Sequence, residues 1–172
     1  FSGTGTFKSA RLVFAGYGIV ADATEKQDAY DSYTHLDVKD KWVLVFRYLP
    51  ENVSPEKRQQ LNRASQLRFK TTFASERGAR GLIVVTGPNA KSRSELVPLQ
   101  MDGLIAGASL PVISITNDVA ESWLSAQSKS LKRLQDELDD GSQKLGFEIE
   151  GVEPDATIDV QRLKKSGRNV LG

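Results

Sequence analysis

The chain has 172 residues, a usual size for one domain, with 39% hydrophobic and 26% charged residues. Its 23 basic and 22 acidic residues nearly cancel, and a net charge of +1 gives no general attraction to nucleic acid or to anionic membranes. No apolar run reaches the roughly 18 residues that a membrane-spanning helix requires, so no membrane insertion is expected. The chain has no cysteine, which excludes thiol chemistry.

Two strands are predicted in the first 50 residues. Residues 11–20, "RLVFAGYGIV", mix β-branched and aromatic side chains, and the glycines at 16 and 18 indicate a bend or a close backbone approach. Residues 42–49, "WVLVFRYL", are a nearly continuous apolar run, which is typical of a strand covered on both faces in a parallel sheet.

A helix is predicted to follow at Ser54, which is placed to cap it, with Pro55 at the first helical position. The pattern continues to Gly78, with a break expected near Thr71 and Thr72. The expected buried positions are Leu61, Leu67, Phe69, Phe73 and Ala74. "LIVVTG", residues 82–87, then predicts a second buried strand and completes a βαβ unit.

The rest of the chain predicts one more apolar strand, two helices and two antiparallel strands. "LPVISI" at 110–115 is the strand, and Thr116 or Asn117 caps the helix after it. The apolar positions expected to face the core in the two helices are Val119, Ala120, Trp123 and Leu124, then Leu131, Leu134 and Leu138. The terminal strands are "LGFEIEG" and "ATIDVQRL". The predicted fold class is mixed α/β, with a parallel core sheet, flanking antiparallel strands and two to four helices.

Residues suited to catalysis are few. His35 and Asp37 form a His-x-Asp pair, but two ligands do not make a zinc site, and we expect a surface or capping histidine. The acidic group Asp136, Glu137, Asp139 and Asp140 lacks calcium-loop spacing and is expected to face solvent at a helix end. Tyr30 and Tyr33 could stack on a sugar or contact a peptide, although packing is the expected role. No serine-nucleophile or phosphate-loop motif occurs.

The order of several short motifs resembles the protease-associated domain, in the version found in bacterial zinc-dependent aminopeptidases. The motifs are G-Y-G-I at 16–19, L-D-V-K-x-K at 36–41, G-A-x-G at 78–81 and "LPVISIT" at 110–116. Each is weak alone and moderately specific in this order, and the resemblance covers nearly the whole chain.

This resemblance implies a swivelling β/β/α module at residues 1–166, followed at 167–172 by the first strand of a peptidase domain that is cut short. It also implies that the module itself is not catalytic and holds no cofactor, with zinc bound only in the peptidase domain. The implied partners are that peptidase domain, in the same polypeptide, and peptide or protein substrates. Localisation is open from the residues themselves, and the resemblance suggests a secreted or periplasmic protein.

Two groups of residues are candidates for the surface that docks or controls substrate access. The long connection at 87–109 carries more apolar side chains than a solvated loop needs, which are Val97, Leu99, Met101, Leu104 and Ile105. Arg47 and Tyr48 are further candidates, since the carboxyl ends of strands in α/β sheets commonly line clefts. Packing of the loop within the domain is an equal alternative.

Two other functions remain open. The chain could be an independent module that binds a peptide or a cargo protein, as related domains do in receptors. A free-standing small enzyme would need a nucleophile and a base that the sequence does not offer. The coding sequence after Gly172 discriminates the first of these from an aminopeptidase accessory domain.

Overall fold

The computed structural model describes residues 4–92, 94–98 and 110–159. Strands and helices in this part of the chain follow in this order: β1 (Gly5–Phe7), β2 (Leu12–Phe14), β3 (Val20–Ala21), β4 (Tyr30–Asp31), β5 (Trp42–Phe46), α1 (Pro55–Asn62), α2 (Leu67–Glu76), β6 (Gly81–Val85), β7 (Val112–Ile115), α3 (Asn117–Ser125), α4 (Leu131–Leu138), β8 (Phe147–Ile149) and β9 (Ala156–Ile158). The protein is therefore a mixed α/β fold, as the sequence predicts.

A five-stranded mixed sheet in the order β7-β6-β5-β2-β8 forms the centre of the fold. The first four of these strands run parallel, and β8 pairs antiparallel with β2. Every residue of β2, β5 and β6 is buried, which is the physical reason why their sequences are continuously apolar rather than alternating. Two small antiparallel sheets, β1-β9 and β3-β4, flank the central sheet.

The core has two parts because successive residues of a strand point to opposite faces of the sheet. Trp42, Leu44 and Phe46 belong to one cluster, and Val43 and Val45 belong to the other. The first cluster is covered by α1, α3 and α4, through the buried residues Leu61, Ala120, Leu124, Leu131 and Leu138. The second is covered by α2, through Ala74 and the partly buried Leu67.

The start of α1 is as predicted, since the Ser54 hydroxyl accepts a hydrogen bond from Lys57 N at 3.2 Å and Pro55 is the first helical residue. The break before α2 was misplaced. It lies at 63–66, and α2 runs without interruption through Thr71 and Thr72, whose hydroxyls bond to backbone carbonyls four residues earlier.

The capping residue of α3 is Thr116, whose hydroxyl accepts from Val119 N at 3.4 Å. The expectation that Val119 is buried was wrong, because this side chain is 39% exposed. Ala120 and Leu124 lie one helical turn apart and face the core, and Val119 projects about 100° away from Ala120 around the helix. Among the described residues, none of the helices has the length and apolar character needed to cross a membrane.

Two glycines bring backbone into close contact with the core. Gly18 has φ +61°, and a methyl group on it would lie 2.6 Å from a methyl carbon of Val45. At Gly81 the same methyl group would lie 2.2 Å from the indole ring of Trp42. Only glycine fits either position without moving a buried strand residue.

Candidate functional site

The parallel strands β5, β6 and β7 end at one edge of the sheet, which we call the carboxyl edge. Arg47 and Tyr48 follow β5, Thr86 follows β6, and Thr116 follows β7. Side chains from separate parts of the chain therefore meet here, as is usual for parallel sheets.

Arg47 and Tyr48 contact the stretch of residues 92 and 94–98, which we call the edge segment. One guanidinium N–H of Arg47 donates to the carbonyl oxygen of Ser94 at 3.1 Å, and the Tyr48 hydroxyl lies 3.1 Å from the Ser92 hydroxyl. The Arg47 guanidinium also lies 4.8 Å from the centroid of the Tyr48 ring. Arg47 and Tyr48 thus contact the 87–109 connection at Ser94 and Ser92.

Further contacts hold the edge segment against the ends of β6 and β7. The Thr86 hydroxyl donates to the carbonyl oxygen of Glu95, and the Glu95 carboxylate accepts from Asn117 N at 2.5 Å. The negative charge of this carboxylate also interacts favourably with the positive N-terminal end of the α3 dipole. Val97 N donates to the Ser114 hydroxyl at 3.0 Å. The edge segment therefore crosses all three strand ends.

The candidate apolar residues of the connection divide into two groups. Val97 is half-buried and packs against the second core cluster. This residue therefore packs within the domain, which is the alternative to a docking role. Leu96, which the sequence analysis did not single out, is 45% exposed beside it. The other four candidates, Leu99, Met101, Leu104 and Ile105, lie outside the described residues, as does the predicted boundary at 166–167.

A buried lysine fixes the backbone at the carboxyl end of β5. The Lys70 ammonium donates to the carbonyl oxygens of Phe46, Arg47 and Tyr48 at 2.7, 2.8 and 2.6 Å. Its side chain is fully buried, and burial sets the pKa of Lys70 well below 10.5. These contacts explain why β5 ends at Phe46 rather than continuing to Leu49 as predicted, since three successive carbonyls turn to one cation.

A second buried polar group lies around Asp139, which is 1% exposed. Its carboxylate accepts hydrogen bonds from the Tyr17 hydroxyl, from Glu51 N at 3.2 Å and from the Asn89 amide at 2.7 Å. Burial raises the pKa of Tyr17, and the Asp139 carboxylate beside it raises it further. Because the Tyr17 hydroxyl stays protonated, it remains a donor to Asp139.

This arrangement corrects the prediction that the acidic group at the end of α4 faces solvent. Asp136, Glu137 and Asp140 are exposed, but Asp139 points inward. The Lys132 ammonium and the Asn89 amide hold the pKa of Asp136 below its usual range. The acidic group therefore consists of three surface carboxylates and one structural carboxylate.

The Asp139 contacts link α4 to the start of the 87–98 connection. Asn89 N donates to the Gln135 side chain at 2.9 Å, and the Gln135 amide donates to the Tyr17 hydroxyl at 3.3 Å. Gly87 N donates to the Asn117 side chain at 2.9 Å. The first residues after β6 are thus tied both to α4 and to α3.

His35 and Asp37 occupy a surface turn, as expected. His35 is exposed and has φ +57°, and the Asp37 carboxylate accepts from Lys39 N at 3.1 Å and from the Lys41 ammonium at 3.2 Å. These two donors lower the pKa of Asp37. Tyr30 and Tyr33 are 2% and 4% exposed, which confirms packing as their role. The described residues include no group of three or more side chains suited to hold a metal ion.

Lys70 and Asn89 are not among the residues predicted from sequence, and Asp139 is predicted only as a surface carboxylate. A signal was present for Lys70 and Asp139. Lys70 lies on the same helical face as Ala74, where a lysine is unusual unless its charge is satisfied. Asp139 follows the last turn of α4, where the helix dipole disfavours a carboxylate, so its presence indicates other donors. Asn89 gave no such signal. Comparisons of the chain with protein-family models, with curated proteins and with solved structures find no match.

Proposed function

We propose that this chain is a protease-associated domain of a zinc-dependent aminopeptidase, and that it acts as a non-catalytic module that docks protein segments through the carboxyl edge. The observation that carries this proposal is the pair of contacts from Arg47 to Ser94 and from Tyr48 to Ser92. They hold Arg47 and Tyr48 against the start of the 87–109 connection, where Tyr48 and Leu96 are exposed.

The positions of the motifs support the proposed family. Gly16 and Gly18, in the first motif, both have positive φ in the turn after β2. The second and third motifs meet, because Asp40 N donates to the carbonyl oxygen of Gly78 at 2.9 Å and Arg80 N donates to that of Lys41 at 2.8 Å. The residues that carry the resemblance therefore shape turns and strand ends, as expected for motifs that define a fold and not a catalytic centre.

In this proposal the catalytic zinc is bound by a peptidase domain elsewhere in the same polypeptide, which is secreted or periplasmic. The module affects the reaction by holding part of a peptide substrate, or the peptidase domain itself, at the carboxyl edge. An independent peptide-binding or cargo-binding module would use the same surface, and the two functions differ in what the rest of the polypeptide does.

The docking role is tested by replacing Leu99 and Met101 with serine in the whole polypeptide. Loss of two apolar contacts is expected to raise KM for peptide substrates by about tenfold, from burial of roughly 25 cal/mol per Å² of apolar area. The kcat for a small aminoacyl substrate, which does not reach the module, should change less than about twofold. Steady-state kinetics with both substrates measure this.

Leu145→Ser is the matched control, because Leu145 is 66% exposed and lies close to β8. β8 and β7 are the two edge strands at opposite ends of the central sheet. This variant should leave both constants unchanged. The docking role is wrong if the Leu99 and Met101 replacements leave peptide KM and domain docking unaltered, or if the control has the same effect.

A further inference from the structure

A groove lined by an arginine lies beside the carboxyl end of β5. It has a volume of about 390 Å³ and lies between the end of β5 and the connection from α1 to α2. We call it the Arg47 groove; its lining residues are Arg47, Tyr48, Leu49, Asn62, Ser65, Gln66 and Leu67. It combines one cation, one exposed aromatic ring, two leucines, and amide and hydroxyl groups, which suits recognition of an extended peptide.

The charge of this groove is not neutralised within the described part of the chain. Arg47 makes one hydrogen bond to a neutral carbonyl, and none of the ion pairs there includes Arg47. A guanidinium has five N–H donors, so several remain for a ligand. Arg63 and Arg68 flank the lining residues, stack on Phe69 at 5.2 and 4.8 Å, and likewise form no ion pair there.

None of the residues that line the groove is acidic. The carbonyl oxygen of Arg47 already accepts a hydrogen bond from the buried Lys70 ammonium. Leu67 begins α2, whose first turn contains no acidic residue. A ligand carboxylate placed here would meet a bidentate guanidinium, which is the strongest common partner for it.

We propose that the Arg47 groove binds an extended acidic peptide, with a ligand carboxylate on Arg47 and an adjacent apolar side chain against Leu49 and Leu67. The Asn62 and Gln66 side chains are then placed to bond the peptide backbone. This inference rests on the proposed docking function and names its ligand class: a protein segment in which Asp or Glu alternates with apolar residues.

The test measures binding of capped, fluorescein-labelled hexapeptides to the 172-residue chain by fluorescence polarisation. The acidic probe is Ala-Leu-Glu-Leu-Asp-Ala, and the neutral probe has Gln and Asn in place of Glu and Asp. The acidic probe is expected to bind at least tenfold more tightly, because a charge-assisted pair is lost in the neutral one. Arg47→Met should abolish this difference.

A control variant separates the charge of Arg47 from a general loss of positive charge. Arg133→Met removes an exposed arginine that pairs with Glu137 on α4, and should keep the preference for the acidic probe. Equal binding of the two probes by the original chain, or an unchanged preference in Arg47→Met, would overturn the proposal.

Failure here is distinguishable from failure of the docking role. If the probes bind without regard to charge while the Leu99 and Met101 replacements still raise peptide KM, only the acidic specificity is wrong. If neither experiment gives its expected result, the proposed docking function is wrong as well.

Discussion

Asp139→Ala is expected to lower the free energy of unfolding by about 4 kcal/mol, the largest single effect that we expect. The replacement leaves three buried donors, the Tyr17 hydroxyl, Glu51 N and the Asn89 amide, without their acceptor. Each such unsatisfied group costs about 1–3 kcal/mol, and relaxation around the smaller side chain recovers part of the sum. Urea unfolding followed by tryptophan fluorescence measures the change.

Asp136→Ala is the matched control on the same helix. Asp136 pairs with Lys132 and contacts Asn89, but it is exposed, and such surface pairs contribute about 0–1 kcal/mol. The role assigned to Asp139 is wrong if the two variants lose similar amounts of stability.

Lys70→Met is expected to cost about 3 kcal/mol. The methionine side chain retains most of the apolar packing, but the carbonyl oxygens of Phe46, Arg47 and Tyr48 lose their donor. Removing a buried cation relieves its desolvation, which keeps the expected loss below the sum for three unbonded carbonyls. Lys132→Met, at an exposed lysine on α4, should change the free energy of unfolding by less than about 1 kcal/mol.

The pH dependence gives a second measurement on the same variant. The pKa of Lys70 is lowered in the folded chain by burial, so below pH 10.5 the unfolded chain binds more protons at this residue than the folded one. The contribution of Lys70 to stability therefore rises with pH between its folded pKa and 10.5 and falls as the pH is lowered. The part of this pH dependence that comes from Lys70 should be absent in Lys70→Met, so its plot of unfolding free energy against pH should rise less steeply. An identical slope in both proteins would contradict the assignment.

Above about pH 10, ionisation of a buried tyrosine changes the free energy of unfolding in the opposite direction. Burial raises the pKa of Tyr30 to about 12, so the unfolded chain loses this proton first and stability falls as the pH rises above about 10. The comparison of Lys70→Met with the original chain is therefore made below pH 10.

The elements that depend on local pattern could be predicted from sequence. Continuous apolar runs identified β5, β6 and β7, and Ser54 with Pro55 identified the start of α1. The break between α1 and α2 could not be placed, because residues 63–66 contain neither glycine nor proline and Ala64 is buried at the turn. Tertiary packing determines this boundary, and no local signal marks it.

The candidate site was predictable only in part. Arg47 and Tyr48 follow from the rule that strand ends form clefts, but their contacts with Ser94 and Ser92 join residues more than 40 positions apart. The partners of Lys70 lie 22 to 24 positions away and those of Asp139 lie 50 to 122 positions away, and polarity alone placed Asp139 at the surface. Predicting such contacts requires the sheet order and the positions of the helices on it.

The central claim is that this chain serves a zinc aminopeptidase without being the catalyst. The most direct test measures release of an aminoacyl chromophore by the whole polypeptide and by the purified 172 residues, each with zinc and with a chelator. Zinc-dependent turnover by the whole polypeptide and none by the 172 residues is the expected result. Turnover by the 172 residues alone, or no zinc-dependent turnover by the whole polypeptide, would contradict the claim.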